Sequence, residues 1–461
     1  MAPMRGLDPR GILPAAGLCL FLLVIPAAGP AAGEEPVRLT LDDAVRRALV
    51  RSGEVRGATF GLEAARSRVV QADAGRYPQL EFKALTGPSP RARGDQVSSP
   101  DSTSSPDITG IFGRADFTIT QPLYTFGRLT ALRAAAREGV AATEAEVRER
   151  EAATALRVKT TYYGLLLARG LRELLEDLQG QLRSTREKVE RQLRARRAGV
   201  DQIDLFKLQT FEAEVIRALL ELERQEAVAA DALAVLAGLP PGQRAEPAEE
   251  RLVPEPDPPP SLERYLEAAR EARPEFRRLA AGLAAREHQI EAERATFYPQ
   301  FFVAVIGSIA GTTNRDRVNN PFIRDEFEHT EVGVVAGLRW SFDFGVTAGR
   351  VREVRAERDR LEALKETAED GIPLEIRSLY RELTEARAAA SATEASSRAA
   401  RRWLVAAVAN FDLGVGEAKD VAEALGAYAK AQSDHHRALY NEKAALASLE
   451  AASGRASPGQ P

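Results

Sequence analysis

The stretch Gln121-Pro122-Leu123-Tyr124-Thr125-Phe126-Gly127 decides how this chain is built. Just before it, apolar and polar residues alternate from Asp116 to Leu123, which is the period-two pattern of a strand with one mostly apolar face. Just after it, a proline-free, helix-forming run extends from Arg128 to about Arg197. A helix of about 70 residues is roughly 105 Å long. The sequence therefore predicts a tight junction, at Phe126 and Gly127, between a strand and a very long helix.

The same junction is predicted a second time downstream. The run Trp-Ser-Phe-Asp-Phe-Gly ends in a second Phe-Gly pair, Phe344 and Gly345, and a helix-forming stretch then continues to about Asp412. Before this pair, every second residue from Val332 onward is apolar, and the residues between them are mostly small or polar. Two strand-to-long-helix junctions in one chain are typical of a barrel whose strands continue into long helices.

An internal duplication accounts for the two junctions. Tyr77-Pro78-Gln79 recurs downstream as Tyr298-Pro299-Gln300, and the segment that begins at Leu41 aligns without a gap on the segment that begins at Leu262. The two Phe-Gly pairs are separated by nearly the same interval, and so are Gly199-Val200 and Gly414-Val415. Landmarks in the same order at nearly one offset indicate two copies of one unit.

The duplication suggests a division of the chain into five parts. We expect a signal peptide over residues 1–33, a first repeat over 34–238, a Pro-rich connector over 239–260, a second repeat over 261–453 and a disordered tail over 454–461. Each repeat should read helix, two strands and a long helical hairpin. Thr40 is the predicted N-cap of the first helix, with Asp43 as its third residue, and this helix should break near Ser52-Gly53.

Four strands are predicted, two in each repeat. They cover about Leu80–Thr86 and Ile111–Tyr124, then Phe301–Ala310 and Thr330–Phe344. The stretch Gly87–Gly110 is rich in Pro, Ser, Gly and Asp, so we expect a mobile loop there. The last strand is long enough to cross a bilayer at a tilt and has the alternation of a membrane barrel. A half-buried soluble sheet gives the same alternation, and the signal peptide, the duplication and the long helices favour the barrel.

The helical stretches carry a seven-residue repeat. Mostly apolar residues, with Glu212 and Glu226 at two of the positions, step by three and four from Leu205 to Leu236, and an apolar series with the same repeat runs from Leu171 to Val189 in the preceding helix. Sustained heptads predict helices packed on each other along a coiled-coil seam. The short turn at Gly199 makes these two helices antiparallel neighbours.

Composition and charge exclude several classes of function. The formal net charge of −4 and pI near 5.9 provide no basic field for nucleic acid. Cys19, the one cysteine, lies in the N-terminal apolar segment, so the processed chain has no thiol for a disulfide or a metal. No transmembrane helix is expected beyond that segment. His435-His436 are adjacent on a helix and are interpreted as a solvated pair. No catalytic, cofactor-binding or metal-binding residue is predicted, and the chain is not expected to be an enzyme.

These residues together resemble the TolC-like outer-membrane efflux proteins, also called outer membrane factors. The resemblance rests on the N-terminal segment, the motif Leu39–Ala44, the two Tyr-Pro-Gln motifs, the two Phe-Gly junctions and the hairpin tips at Gly199 and Gly414. Each motif alone is weak, but their order and spacing cover essentially the whole processed chain.

The resemblance implies an α+β membrane protein that forms a homotrimer. Four strands from each chain would make one shared 12-stranded outer-membrane β-barrel in contact with outer-membrane lipid, continued by a long α-helical coiled-coil periplasmic tunnel. The family implies a passive exit duct in the outer membrane of a Gram-negative bacterium, docked on a periplasmic adaptor (membrane fusion) protein and an inner-membrane transporter. The alternative function is a soluble periplasmic coiled-coil adaptor or scaffold protein, which would share the heptads but lack the alternating strands.

The resemblance also places residues at the periplasmic entrance. The adaptor-facing hairpin tips would be Gly199 and Val200 together with Gly414 and Val415. Acidic residues past the second tip would form an entrance ring, and the matching positions are Asp420 and Glu423. An acidic start of a solvated helix gives the same pattern, so both interpretations stay open.

Other positions near the tips follow the family less closely. Phe411 is the aromatic residue expected before the second tip. Gly416 stands where an arginine is expected, which puts a salt-bridge latch in doubt. In the first hairpin the comparable acids are Asp204 and Asp201.

Overall fold

A computed structural model of the chain describes residues 36–94, 103–195, 201–318 and 322–455. The elements of the first repeat are α1 (Leu41–Arg51), α2 (Gly53–Ala74), β2 (Gln79–Arg93), β3 (Thr103–Tyr124), α3 (Arg128–Arg194) and α4 (Gln202–Leu236), preceded by β1 (Val37–Leu39). After β4 (Ala245–Pro247), the second repeat contains α5 (Leu262–Ala272), α6 (Pro274–Ala295), β5 (Gln300–Thr312), β6 (His329–Arg339), α7 (Val346–Leu413) and α8 (Ala418–Ala452). The element order of the first repeat thus recurs in the second. The predicted signal peptide and most of the predicted tail lie outside the described residues.

One antiparallel sheet unites the two repeats. Its strand order is β2-β3-β5-β6, so the central pair, β3 with β5, joins a strand of the first repeat to one of the second. Within the described chain, β2 and β6 are edge strands with one neighbour each. The sheet therefore has two open edges.

Two very long helices start at this sheet. α3 has 67 residues and α7 has 68, so each extends roughly 100 Å away from the strands. Shorter helices run along them in pairs. An ion pair of Asp73 with Arg133 sets α2 beside the first part of α3, and a 2.5 Å contact of Glu226 with Arg172 sets α4 beside a later part. None of the described helices combines the length and apolar composition that a membrane crossing needs.

The predicted heptads form the core between the paired helices. Leu178, Leu182 and Val189 of α3 are buried against Leu208 and Val215 of α4, and residues of α7 and α8 complete this cluster. Helix pairs of this length depend on such tertiary packing for their stability. The seam predicted from the seven-residue period is confirmed.

The predicted start and break of the first helix are also confirmed. The Thr40 hydroxyl accepts the Asp43 amide at 3.2 Å, which caps α1. Ser52 ends α1, and its hydroxyl accepts the Val55 amide at 3.3 Å to begin α2.

The predicted strand boundaries need two corrections. Much of the expected loop Gly87–Gly110 is strand, because β2 continues to Arg93 and β3 begins at Thr103. β2 keeps Pro88 and Pro90 within this extension, and its register shifts on both sides of Pro90. Conversely, β6 ends at Arg339 rather than Phe344. The chain leaves the sheet at Trp340, whose indole Nε1 donates to the Phe297 carbonyl at 3.1 Å.

The Pro-rich connector is more structured than its composition predicted. Its strand β4 pairs in parallel with β1, so the start of the described chain is attached to the link between the repeats. The buried Tyr162 of α3 supports this pair by donating its hydroxyl to the Leu39 carbonyl at 2.8 Å. Strands as short as these carry no periodic signal, which is why the sequence did not show them.

Candidate functional site

The first strand–helix junction turns within two residues. Phe126 and Gly127 both have positive φ, 49° and 83°, so the backbone passes through the left-handed region before α3 starts. Gly adopts this conformation freely, whereas a Phe there carries backbone strain of about 1–2 kcal/mol. The Thr125 side chain accepts the Leu129 amide at 3.5 Å in the first turn.

The second junction repeats this backbone path. Phe344 and Gly345 have φ values of 46° and 132°. Here Asp343 caps α7, since its carboxylate accepts the Thr347 amide at 3.0 Å as well as the Thr347 hydroxyl. Together with the Gly345 amide, these hydrogen bonds hold the pKa of Asp343 below its ordinary value, and the Thr347 hydroxyl contributes most.

Aromatic rings gather at the first junction. The Phe126 ring stacks on Tyr298 with centroids 4.9 Å apart and contacts Tyr124 edge-on at 4.7 Å. Tyr298 comes from the segment before β5, so the stack joins the two repeats at the helix end of the sheet. At the second junction, Trp340 and Phe342 pack on each other at 4.5 Å.

The sheet has two chemically different faces. Cross-strand partners share a face and neighbours along a strand alternate, so the register assigns each residue to one side. The apolar face consists of Leu80, Phe82, Phe117, Ile119, Val303, Val305, Val332, Val334 and Leu338. The polar face contains Glu81, Lys83, Arg114, Asp116, Thr118, Ser308 and Glu331.

Charges on the polar face are paired. The Asp116 carboxylate accepts Arg114 Nε at 2.9 Å and the Ser308 hydroxyl at 2.6 Å. Arg114 also reaches Glu326 at 3.0 Å, and Lys83 lies 2.9 Å from Glu81. A surface with both signs of charge suits contact with water, whereas the opposite face suits an apolar environment.

The second hairpin tip is a glycine turn. Gly414 has φ 75° and ends α7, with its amide donating to the Phe411 carbonyl at 3.0 Å. The Phe411 side chain is buried in the helical core, whereas Leu413 and Val415 are exposed. A Cβ on Gly416 would lie 3.1 Å from the Phe411 amide nitrogen, so this position has little room for the arginine that the family pattern places there.

Asp420 and Glu423 lie in the first turns of α8, and both side chains are exposed. They are opposite the buried Val421 and Leu425, so they point away from the hairpin core. Lys419 Nζ lies 3.7 Å from Glu423 Oε1, because residues four apart are neighbours on a helix.

The first hairpin tip, with Gly199 and Val200, lies outside the described residues. Just after it, Asp201 and Asp204 exchange side chain-to-backbone hydrogen bonds of 2.9 and 3.4 Å, the reciprocal capping box of α4. These acids thus cap a helix. Near the same end of the molecule, Lys188 of α3 bonds Asp412 of α7 at 2.7 Å and ties the two hairpins together, a contact that no sequence pattern indicated.

The histidine pair is not solvated as expected. His435 and His436 are both partly buried, and a Cβ on Gly170 of α3 would lie 3.1 Å from the His436 ring. Burial, and then the neighbouring His435, lower the pKa of His436. Among the described residues, no group of three or more His, Cys, Asp or Glu side chains is arranged to hold a metal.

Comparison with known proteins identifies the architecture. The family model described as "Outer membrane efflux protein" matches residues 44–239 and 265–455, one match per repeat. A search of curated proteins finds no match. Among solved structures, the outer-membrane channel OprN superposes with a TM-score of 0.73 at 17% identity, covering 90% of this chain and 89% of that one.

Two further structures share the fold. The outer membrane protein VceC from Vibrio cholerae gives a TM-score of 0.72 at 18% identity, with 90% of this chain and 96% of that chain covered. The Campylobacter jejuni CmeC outer membrane channel gives 0.70 at 12% identity, with 97% and 94% covered.

Proposed function

Because this chain belongs to the outer membrane efflux protein family, we propose that it is a passive outer-membrane exit duct of a tripartite efflux pump or a type I secretion system. The observation that carries the proposal is the four-stranded sheet with one apolar face and two open edges, continued by helices of 67 and 68 residues. No catalysis is assigned to the chain, since energy and substrate choice would come from its partners.

The open edges support assembly as a homotrimer. An unpaired strand edge cannot face lipid, because its amides and carbonyls would lose their hydrogen bonds to water. Four strands are too few to close a barrel, so edge β2 must meet edge β6 of another copy. Three copies would give 12 strands, with the apolar face toward lipid and the polar face toward the lumen.

The long helices support a periplasmic tunnel. Both α3 and α7 lead away from the sheet, so the end of α7 and the start of α8 lie far from the strands, and the hairpin tips would lie far from the membrane. There, Gly199, Val200, Gly414 and Val415 would meet a periplasmic adaptor protein, and the adaptor would link the duct to an inner-membrane transporter. Asp420 and Glu423 would surround the entrance, with Lys419 offsetting part of the charge.

Fractionation and detergent extraction test this proposal against the soluble adaptor alternative. We expect the protein to fractionate with the outer membrane, to require detergent for extraction, and to run as a trimer of the processed chain in light scattering. A protein that stays in the periplasmic fraction as a monomer without detergent would instead support the soluble adaptor or scaffold.

A reconstitution experiment tests the duct itself. Purified protein inserted into planar bilayers should give ion-conducting channels without any nucleotide or other energy source, because the proposed duct is passive. Absence of conductance from correctly folded trimers would contradict this part of the proposal.

A further inference from the structure

The two strand–helix junctions have the same backbone but different surroundings. Phe126 is 37% exposed because its ring stacks on Tyr298, whereas Phe344 has a relative exposure of 101%. Phe344 therefore has both a strained backbone and a large apolar ring that is fully exposed. Strain of this kind persists where surrounding structure or a partner compensates for it.

The duplication specifies which residue should meet Phe344. Phe126 corresponds to Phe344 in the second repeat, and Tyr298 corresponds to Tyr77 in the first. Tyr77 is 64% exposed and precedes β2, as Tyr298 precedes β5. The equivalent of the internal ring stack is therefore a contact between Phe344 and Tyr77.

A second pair of contacts shows that the repeats are equivalent in detail at this level. Gln121 donates from Nε2 to the Arg76 carbonyl at 2.9 Å, directly before Tyr77. Trp340 donates from Nε1 to the Phe297 carbonyl at 3.1 Å, directly before Tyr298. In each repeat, a side chain near the end of the second strand therefore bonds the carbonyl of the residue directly before the Tyr-Pro-Gln motif.

Phe344 and Tyr77 cannot meet within one chain. They adjoin β6 and β2, the opposite edges of the sheet, with β3 and β5 between them. Strands are spaced about 4.8 Å apart, which puts these two edge strands roughly 14 Å apart. Only a second copy of this chain offers the missing ring.

We propose that Phe344 of one copy stacks on Tyr77 of the next copy. This stack would hold edge strand β6 of the first copy beside edge strand β2 of the next. This inference rests on the proposed trimeric duct and deepens it by specifying the seam between copies. The seam repeats the internal β3–β5 seam, so each barrel would contain six equivalent ring stacks, three within chains and three between them.

The internal register also predicts which residues face each other across the new seam. In the chain, Ile119 of β3 is opposite Val305 of β5. Gln121 and Trp340 are equivalent, so Leu338, two residues before Trp340, corresponds to Ile119. Gln79 and Gln300 of the two Tyr-Pro-Gln motifs are equivalent, so Ala84 corresponds to Val305. Leu338 should therefore face Ala84 of the next copy, on the apolar face that both occupy.

Cysteine cross-linking tests the seam, in a Cys19→Ser background that removes the one native thiol. Directly opposite Cβ atoms on antiparallel strands lie about 4.5–5.5 Å apart, close enough for oxidation to a disulfide with a small shift. Oxidised Ala84→Cys/Leu338→Cys protein should run as covalent trimer on denaturing, non-reducing gels.

Two control pairs make the result specific. Ile119→Cys/Val305→Cys has the same geometry inside one chain, so it should oxidise without any increase in mass. In the Ala84→Cys/Val334→Cys pair, the second cysteine lies four residues along β6 from Leu338, about 13 Å from the position opposite Ala84. This pair should therefore not cross-link.

A double-variant cycle tests the ring stack. Phe344→Leu and Tyr77→Leu should each lower the temperature at which the trimer dissociates, and the double variant should lose little more than the worse single variant. Phe60→Leu, which alters an exposed ring on α2, should leave this temperature unchanged. Additive losses for the two seam variants would mean that the rings do not touch.

The outcomes separate this proposal from the proposed function. Intact trimers that form no Ala84–Leu338 disulfide, or whose Phe344 and Tyr77 effects are additive, would overturn the seam while leaving the duct in place. A protein that remains monomeric in detergent would overturn both.

Discussion

At the residue scale, two Phe-Gly pairs carry the transition from sheet to helix. In each pair both residues have a positive φ, and a long helix starts directly after them. The side chain of the residue just before each pair, Thr125 or Asp343, accepts a backbone amide in the first turn of that helix. A short turn of this kind determines the direction in which the long helix leaves the sheet. The backbone requirement is strictest at the glycine.

Gly127→Ala tests this requirement. A Cβ at Gly127 meets no atom within 4 Å, so its cost arises from the φ of 83° alone, about 1–2 kcal/mol of folding free energy. Gly139→Ala is the matched control, since Gly139 lies within α3, has open space and should gain up to about 1 kcal/mol. Thermal unfolding of both variants in detergent measures the difference, and equal effects would contradict a left-handed junction.

The buried carboxylate of Glu442 provides a second prediction at this scale. Glu442 of α8 is 1% exposed, lies 3.6 Å from Arg387 Nε, and has no hydrogen-bond partner for Oε2 among the described residues. Its neighbour Lys443 bonds Glu255 of the connector at 2.5 Å. Burial is the main cause that raises the pKa of Glu442 above 4.5.

The sign of the pH effect follows from that raised pKa. The folded protein binds this proton more tightly than the unfolded chain, so Glu442 should destabilise the fold progressively as pH rises from 4.5 through the folded pKa. Glu442→Gln removes this dependence, and its unfolding temperature relative to wild type should therefore be higher at pH 8 than at pH 5. A variant that loses more stability at pH 8 would show that the ionised carboxylate is stabilising.

At the element scale, the sheet and the long helices differ in how their apolar side chains are covered. The helices pack on each other along heptad seams inside the chain, whereas the apolar face of the sheet has no covering layer from the described chain, and Leu80, Val334 and Leu338 remain exposed. Burial of that face would come from lipid rather than from protein. This difference predicts opposite tolerances for charge on the two faces.

Leu338→Arg and Val335→Arg compare the two faces of β6 directly. The first puts a guanidinium on the apolar face, one residue from the end of β6, where the cost is closer to the roughly 1 kcal/mol of the interface than to the midplane value, and should reduce the amount of trimer in the outer membrane. The second puts the same group on the polar face and should assemble normally. Heat-resistant trimer bands in membrane fractions measure both, and equal assembly would refute the proposed lipid-facing side.

At the scale of the whole molecule, two copies of one unit are held together at three levels. The sheet joins them through β3 and β5, the connector joins them through β4 and Glu255, and near the tips Lys188 bonds Asp412. The sheet and the tips are thereby kept at opposite ends of helices roughly 100 Å long. Such a shape suits a conduit whose selectivity is set at its ends.

Asp420→Ala combined with Glu423→Ala tests the proposed entrance ring. Three copies would gather six carboxylates, partly offset by Lys419, so their removal should lower the cation-to-anion permeability ratio in single-channel recordings. Asp359→Ala with Glu362→Ala is a matched control, because these exposed acids have the same spacing on α7 but lie near the sheet. If both double variants keep the wild-type ratio, Asp420 and Glu423 belong to a solvated helix start.

Local chemistry by itself determined most of the architecture. The strands, the long helices and the duplication could be predicted because their signals are patterns of residues close together in the sequence. These signals are the period-two stretches, the heptads, the Phe-Gly pairs and the recurring Tyr-Pro-Gln motif. Strand ends were less accurate. The region around Pro90 is kept in the sheet by pairing with β3 across an irregular register, and Trp340 leaves it by bonding the Phe297 carbonyl.

Only the tertiary structure decided which distant groups meet. The parallel β1–β4 pair and the bond between Lys188 and Asp412 follow from how helices and strands are placed in space. The same holds for the contrast between Phe126 and Phe344, whose local sequences and backbone are nearly identical. One ring is covered and the other exposed because the β3–β5 seam lies inside the chain, whereas the β6 edge has no further strand beside it in the described chain.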